Sequence, residues 1–150
     1  MSLTLNGIAQ GWITDLITLK LKNYGINNVL IDLGETFALG KHRENRPWHI
    51  ALSGKSGIVG KVDLINKAVA TSGGHGTVFD NTGKYHHVFN PKTGLSANKH
   101  EALSIIADTA WVADALSTAG LSMDKVSIKK VVKKFNAKAF IISNKKMIEL

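Results

Sequence analysis

Residues 102–121, ALSIIADTAWVADALSTAGL, change character halfway along. ALSIIAD (102–108) is a continuous apolar run and reads as a buried strand. TAWVADALSTAGL (109–121) follows it directly and reads as a helix. The helix also carries Asp114, Ser117 and Thr118. At roughly 100° per residue, Asp114 and Thr118 sit about 40° apart with Ser117 close by. Val112, Ala115, Leu116 and Ala119 gather on the opposite face. The spacing predicts an amphipathic helix whose polar stripe holds oxygen ligands and no Lys or Glu. Such a stripe suits a hard cation such as Mg²⁺, which takes oxygen ligands and keeps phosphate oxygens in its shell. It equally suits a solvated face with Ser and Thr bonded back to the preceding turn. Spacing alone favours the solvated face.

The rest of the chain mixes helices and strands without strict alternation, which predicts an α+β fold with a mixed or antiparallel sheet and packed helices. Residues 7–24 place Ile8, Trp12, Leu16, Leu19 and Tyr24 at helical spacing, with Gly25 as a stop. NNVLIDLG (27–34) reads as a buried strand. TFALGKH (36–42) and PWHIALS (47–53) read as the next two strands, with RENR turning between them. KAVATSG (67–73) is a strand entering a Gly-rich loop. GTVFD and KYHHVF flank an Asn-Thr-Gly turn and predict a hairpin over 76–89. SMDKVSIKKVVKKF (122–135) predicts a basic amphipathic helix, with its lysines on one side and Val126, Val131, Val132 and Phe135 on the other. AKAFIIS (137–143) and KMIEL (146–150) predict a closing hairpin.

The 150 residues suggest a single domain over 1–150, long enough to bury a core without staples. The absence of cysteine excludes disulfides and thiolate metal sites. The net charge of +8 directs attention to phosphates, nucleic acid or anionic surfaces. The lysine helix, however, lacks the interleaved Arg and aromatic residues of single-strand binders, so no nucleic-acid partner is expected. MSLTLNGIAQGW has no basic n-region or apolar h-region, and no stretch approaches the roughly 20 apolar residues of a membrane span. The chain as given is expected in the cytoplasm.

Three more segments carry possible chemistry. Gly73, Gly74 and Gly76 in ATSGGHG (70–76) allow either an anion-binding nest or a bend between strands. His86 and His87 in YHHVFNPKTG (85–94) point to opposite faces if that stretch is a strand, one inward and one solvated. In LNGIAQG (5–11), Gly7 and Gly11 allow close approach of a backbone or ligand, or Asn6 simply caps the helix.

Taken together and in this order, NGIAQGWITD, AVATSGGHGTVFD, YHHVFNPKTG and SIIADTAWVADALSTAGL resemble the ApbE family of FAD:protein FMN transferases. The resemblance runs from about residue 4 to the C-terminus. It implies a T-fold-like α+β domain that lacks the family's N-terminal portion. It implies FAD as substrate and Mg²⁺ as cofactor, with FMN passed to a threonine of a target flavoprotein, or FAD hydrolysed to FMN and AMP. Asp114 and Thr118 match the family's metal-binding Asp and Thr, with Ser117 beside them, and Gly7 matches the residue whose carbonyl completes the site. His87 matches the histidine before the turn at the flavin nucleotide, and with Asp114 is the expected catalytic pair. Thr71, Ser72 and Gly73 match the loop near the cofactor. Thr4 and Gln10 stand where the family commonly has Asp and Lys at the cofactor, and Asn90 replaces the Asp of the DP-TG turn.

The resemblance also implies partners and rivals. Target flavoproteins in the family are subunits of membrane redox complexes, and members often work exported or membrane-anchored. Absent sheet strands would leave open edges through which copies of the chain could pair. The rival expectation is a non-catalytic remnant or partner domain with weak or no flavin binding.

Overall fold

The computed structural model describes residues 4–150. Helix α1 spans Ala9–Asn23. Five strands follow: β1 (Val29–Asp32), β2 (Thr36–Leu39), β3 (Trp48–Gly54), β4 (Gly57–Leu64) and β5 (Lys67–Gly73). A long loop opens with a 3-10 turn at Gly74–Gly76 and leads to β6 (Ala102–Ala107). Then come α2 (Ala110–Gly120), α3 (Lys125–Lys134), β7 (Lys138–Ser143) and β8 (Lys146–Glu149).

Six strands form one sheet in the order β1-β2-β5-β6-β7-β8, and every neighbouring pair is antiparallel. One face of it carries the helices. Ala68, Ala70, Leu103, Ile105 and Ile141 point there and pack with Ala113, Leu116, Ile128 and Val132. The other face is covered by the β3–β4 hairpin, where Val69, Ile106, Phe140 and Ile142 meet Leu52, Val62 and Leu64. Strand β6 lies mid-sheet with both faces covered and is buried at all six positions. This is why its sequence is an unbroken apolar run rather than an alternating one. The α+β architecture with an antiparallel sheet agrees with the sequence expectation.

Several local expectations are corrected. The strands β2 and β3 do not pair across RENR. His42 N–H donates to the Arg46 carbonyl, and Asn45 takes φ of 56°, so this loop carries the chain from one sheet to the other. The partner of β3 is β4, a strand over GIVGKVDL to which periodicity assigns nothing, joined by Lys55-Ser56 with Gly57 at φ 97°. The 76–89 hairpin forms only one bridge, Val78 to His86. On its second arm His86 and Val88 turn inward, while Val78 and Phe79 on the first arm stay exposed, so the two arms share no buried face to extend the ladder. In α3 the inward residues are Ile128 and Val132, while Val126 points out, and the helix starts at an Asp124 cap that accepts from Ser127 N–H at 2.7 Å.

The largest corrections concern α1 and α2. In α1 the predicted apolar stripe of Ile8, Trp12, Leu16, Leu19 and Tyr24 faces outward, and Gly11, Thr14 and Thr18 face inward. In α2 the oxygen-bearing residues Asp114 and Ser117 are buried; of the predicted packing face Leu116 is buried, but Val112 and Ala115 are only half-buried and Ala119 is exposed. Both helices turn polar or small residues toward each other because their backbones touch. A Cβ on Gly11 would stand 2.5 Å from the Ala110 carbonyl oxygen and 2.6 Å from Trp111 Cα.

Candidate functional site

Helix α2 starts two residues after β6 and lies over β5 and β6, which places its second turn above the end of β5. Its free N-terminal amides are met by a neighbour rather than by its own sequence. Asp15 of α1 accepts from Ala110 N–H at 2.8 Å and from Trp111 N–H at 2.9 Å. The reciprocal contact comes one turn later, where Asp114 Oδ2 accepts from Gly11 N–H at 3.1 Å. Each helix thus binds the other's backbone with a carboxylate. Only the close approach at Gly11 makes this possible, since any side chain there would hold the helices apart.

Asp114 is 3% exposed, and no salt-bridging cation reaches it among the described residues. Burial pushes its carboxyl above the usual range, and the Gly11 N–H only partly offsets this. Around it lie hydroxyls. Ser72 Oγ, at the end of β5, sits 2.7 Å from Ser117 Oγ and 3.0 Å from Thr118 Oγ1. Ser117 Oγ also donates to the Asp114 carbonyl at 3.0 Å. Gly7 completes the cluster: a Cβ there would lie 3.0 Å from Thr118 Cγ2 and 3.3 Å from its Oγ1. Gly7, Ser72, Asp114, Ser117 and Thr118, drawn from three segments, are therefore brought together. Within the cluster Ser117 is fully buried and its hydroxyl is engaged by Ser72, whereas Thr118 is half-buried at the rim.

The other sequence-predicted residues are placed as follows. Thr71 turns to the opposite face of the sheet, where its hydroxyl meets Ser104 Oγ at 2.7 Å. Gly73 is extended and leads into the 3-10 turn. Gly74 has the His86 ring against it, at 2.5 Å from an added Cβ, so this glycine is required by packing. His86 is the buried histidine of the pair and His87 the exposed one. The Nδ1 of His87 lies 3.1 Å from the Thr77 carbonyl, which can only accept. That contact puts the proton on Nδ1 and leaves Nε2 with a free lone pair. Gln10 is exposed on the first turn of α1, with its side-chain amide over Gly34. Thr4 is exposed, and its Oγ1 accepts from Asn6 N–H at 3.3 Å. Asn6 does not cap α1, whose first turn has no side-chain cap.

Two residues at the site are not foreshadowed by the sequence motifs, Asp15 and Glu35, whereas Gly11, expected to allow close approach of a backbone, does so against α2. Gly11 and Asp15 lie on the side of α1 that carries Thr14 and Thr18, and a stripe of small residues was the available signal. Glu35 sits in the β1–β2 connection, 7% exposed. Burial, then the charges of Asp114 and Asp32, push its pKa up to about 8.

A buried carboxylate and a rim hydroxyl bring oxygen donors together, with the Gly7 backbone packed against Thr118, and Asp114 has one N–H donor and no countercharge among the described residues to satisfy it. Those features fit a hard divalent cation. Comparison with known proteins identifies the family. A model of the ApbE family matches residues 1–141. The FAD:protein FMN transferase of Haemophilus influenzae is 31% identical over 146 residues, covering 92% of this chain and 42% of that protein. The enzyme of the same name from Treponema pallidum is 34% identical over 134 residues, covering 79% and 37%. Among solved structures, the ApbE protein of Thermotoga maritima superposes with a TM-score of 0.83 at 32% identity, covering 94% of this chain and 48% of that one. The apo flavinyl transferase ApbE of Pseudomonas stutzeri gives 0.76 at 28% identity, covering 99% and 49%. The chain thus spans less than half the length of these relatives. Matched nearly end to end by the family model, and superposing on solved members along almost its whole length, the chain belongs to the ApbE family.

Proposed function

We propose that this chain is the cation-binding portion of an FAD:protein FMN transferase, moving FMN from FAD to a threonine of a target flavoprotein or to water. The observation that carries the reading is the buried Asp114 carboxyl, lacking a countercharge, grouped with the Thr118 hydroxyl and the Gly7 backbone. These three would hold Mg²⁺. Bound there, Mg²⁺ neutralises charge on the FAD diphosphate and polarises the phosphoryl group under attack. The protein's own work is positional. Gly11 N–H aims the Asp114 carboxylate, and Ser72 fixes the rotamers of Ser117 and Thr118 through hydrogen bonds to both hydroxyls. His87, with its proton held on Nδ1 by Thr77, offers Nε2 to take the proton from the attacking hydroxyl. Thr4, Gln10, Ser72 and Gly73 are proposed cofactor contacts on the family resemblance; the Thr71 side chain is turned away from the cluster to Ser104 and lies outside that set.

The test is incubation with FAD, Mg²⁺ and a threonine-containing acceptor peptide, reading AMP release and flavin on the peptide by mass spectrometry. Activity that disappears in Asp114→Ala is expected. Neither AMP nor flavinylated peptide from the wild-type chain rejects the assignment of activity to this chain.

A second reading has its own observation. Trp12, Leu16 and Leu19 on α1 and Leu30 and Leu33 around β1 form an exposed apolar surface. Such a surface fits a partner domain that binds flavin weakly and works against another polypeptide. Flavin fluorescence separates the two readings: micromolar quenching supports the first, and a flat titration supports the second. On the family resemblance we further propose a target among subunits of membrane redox complexes, and on the unpaired outer edges of β1 and β8 a pairing of copies.

A further inference from the structure

Two carboxyls are buried at the first turns of α1, and the proposed cation site uses only one of them. Asp114 approaches from α2 and holds the Gly11 N–H. Glu35 approaches from the β1–β2 connection. Its backbone carbonyl lies 3.4 Å from the Thr14 hydroxyl, which donates chiefly to the Gln10 carbonyl at 2.9 Å, and a Cβ on the preceding Gly34 would lie 2.8 Å from Gln10 Nε2. Both carboxyl-bearing residues are therefore fastened to the Gln10–Thr14 stretch of one helix.

The connection does not bury its residues by default. Asp32, Leu33 and Gly34 are all exposed, and Glu35 alone is turned in. Its Oε2 is inaccessible to solvent and has no hydrogen-bond partner. No salt-bridging Lys, Arg or His reaches it among the described residues. An orphaned, buried carboxyl oxygen costs folding free energy unless a donor or cation meets it. Asp114, held one turn away along the same helix by the Gly11 N–H, likewise has no salt-bridging cation among the described residues, although its Oδ2 does have a donor.

We propose that Glu35 is a second carboxylate ligand of the divalent cation held by Asp114, delivered from the β1–β2 connection. The inference rests on the Mg²⁺ reading and adds a residue to it. With Thr118 and Gly7 the donor set stays all-oxygen, as a hard cation requires. The cation gives Oε2 its missing partner and cancels the repulsion between the two carboxylates. The elevated pKa of Glu35, raised by burial and by the charge of Asp114, is the behaviour of a carboxyl without its countercharge.

The test titrates Mg²⁺ and Mn²⁺ into the chain by calorimetry, with and without ADP as a diphosphate probe. Melting temperatures are recorded in EDTA and in Mg²⁺. Glu35→Gln keeps the shape and removes the charge. It is expected to bind either cation at least ~10-fold more weakly than wild type. It should melt no lower than wild type in EDTA yet gain less from Mg²⁺. A residue with only a structural role would do the reverse, losing stability in EDTA and keeping the Mg²⁺ gain, and that result overturns the proposal. Equal cation affinities for wild type and Glu35→Gln overturn the role of Glu35 while leaving that of Asp114 standing. Should Glu35→Gln not fold, Glu35→Asp keeps the charge but shortens its reach; weakened binding supports the proposal and unchanged binding overturns it. Absence of cation binding by wild type in every condition overturns both this inference and the reading beneath it.

Discussion

The inner face of α1 is built from Gly11, Thr14 and Thr18, and its outer face from Trp12, Ile13, Leu16 and Leu19. The helix packs with its small and polar side. The reason is distance. Apolar side chains of ordinary size keep helix axes about 8–10 Å apart, and at that spacing a carboxylate on one helix does not reach the backbone of the other. Glycine at 11 lets the two backbones touch, so Asp15 reaches the α2 amides and Asp114 reaches Gly11 N–H. The threonines add no orphans, because Thr14 donates to the Gln10 carbonyl at 2.9 Å and Thr18 to the Thr14 carbonyl at 2.7 Å. The inner face positions carboxyls at some cost in burial energy. The outer face retains apolar area that the described residues leave uncovered.

If that contrast is right, the stability of the metal-free chain is governed by the charges at the seam. Glu35 keeps its proton in the folded chain up to about pH 8 and in the unfolded chain only to 4.5. Between those values the folded state binds the extra proton. The stabilisation is therefore complete below pH 4.5 and is lost as pH rises toward 8. Asp114, also raised, acts in the same direction. At about 1.4 kcal/mol for each tenfold change in proton affinity, Glu35 alone sets an upper bound of about 5 kcal/mol on the loss. Exposed carboxylates held below their usual range, such as Asp124 by Ser127 N–H, act only on the acid side and so separate from this effect. Urea unfolding in EDTA at a series of pH values checks it. Glu35→Gln should flatten the slope, and an unchanged slope in that variant would falsify the assignment.

A more local break is Gly11→Ala. In an exposed helix this substitution gains about 1 kcal/mol. Here the new methyl meets the backbone of Ala110 and Trp111, which no rotamer change relieves. Forcing the helices apart should cost about 3 kcal/mol, read as a fall in the urea midpoint, with cation binding lost alongside. Asp15→Ala is milder. It leaves two α2 amides without their acceptor and should cost about 1–2 kcal/mol, with Asp15→Asn recovering part of it. A cost in Asp15→Ala no larger than that of an exposed substitution would show that water replaces the carboxylate.

How much of this could be read from the chain beforehand depends on what each residue had to reveal. Strand β6 was legible because burial on both faces leaves an apolar run, and α2 because its turn-by-turn spacing is regular. The orientation of α1 and α2 was not legible. Periodicity finds two stripes on a helix but does not say which one packs; in α1 contact distance decided against the apolar one, and in α2 the polar residues Asp114 and Ser117 are buried alongside the apolar Ala113 and Leu116. Asp114 and Thr118 stood out as oxygen ligands at helical spacing, and the family resemblance gave them a role. Glu35 and Asp15 had no such pattern. Each gains its meaning from a residue far along the chain, Asp114 and Ala110 respectively, and such pairings leave no mark in local periodicity. Strand β4 was hidden by its glycines, Gly57 and Gly60, which dilute alternation; Gly60 packs under the Met147 terminal methyl, 2.9 Å from where a Cβ would stand.

The smallest expected effect belongs to the outer face, and it is the one that sharpens the contrast most. Trp12 is 57% exposed and Leu19 is 56% exposed. If nothing covers them in solution, Trp12→Gln and Leu19→Gln each remove little buried area and should shift stability by less than about 1 kcal/mol, independent of protein concentration. If copies of the chain cover the face, wild-type stability rises with concentration by mass action, and both substitutions abolish that rise. Unfolding curves at two concentrations, paired with sedimentation, tell these apart. A concentration-independent loss of several kcal/mol in Trp12→Gln would contradict the contrast itself. It would mean that the outer stripe stabilises the isolated chain as much as the seam does, and that α1 is held by both of its faces.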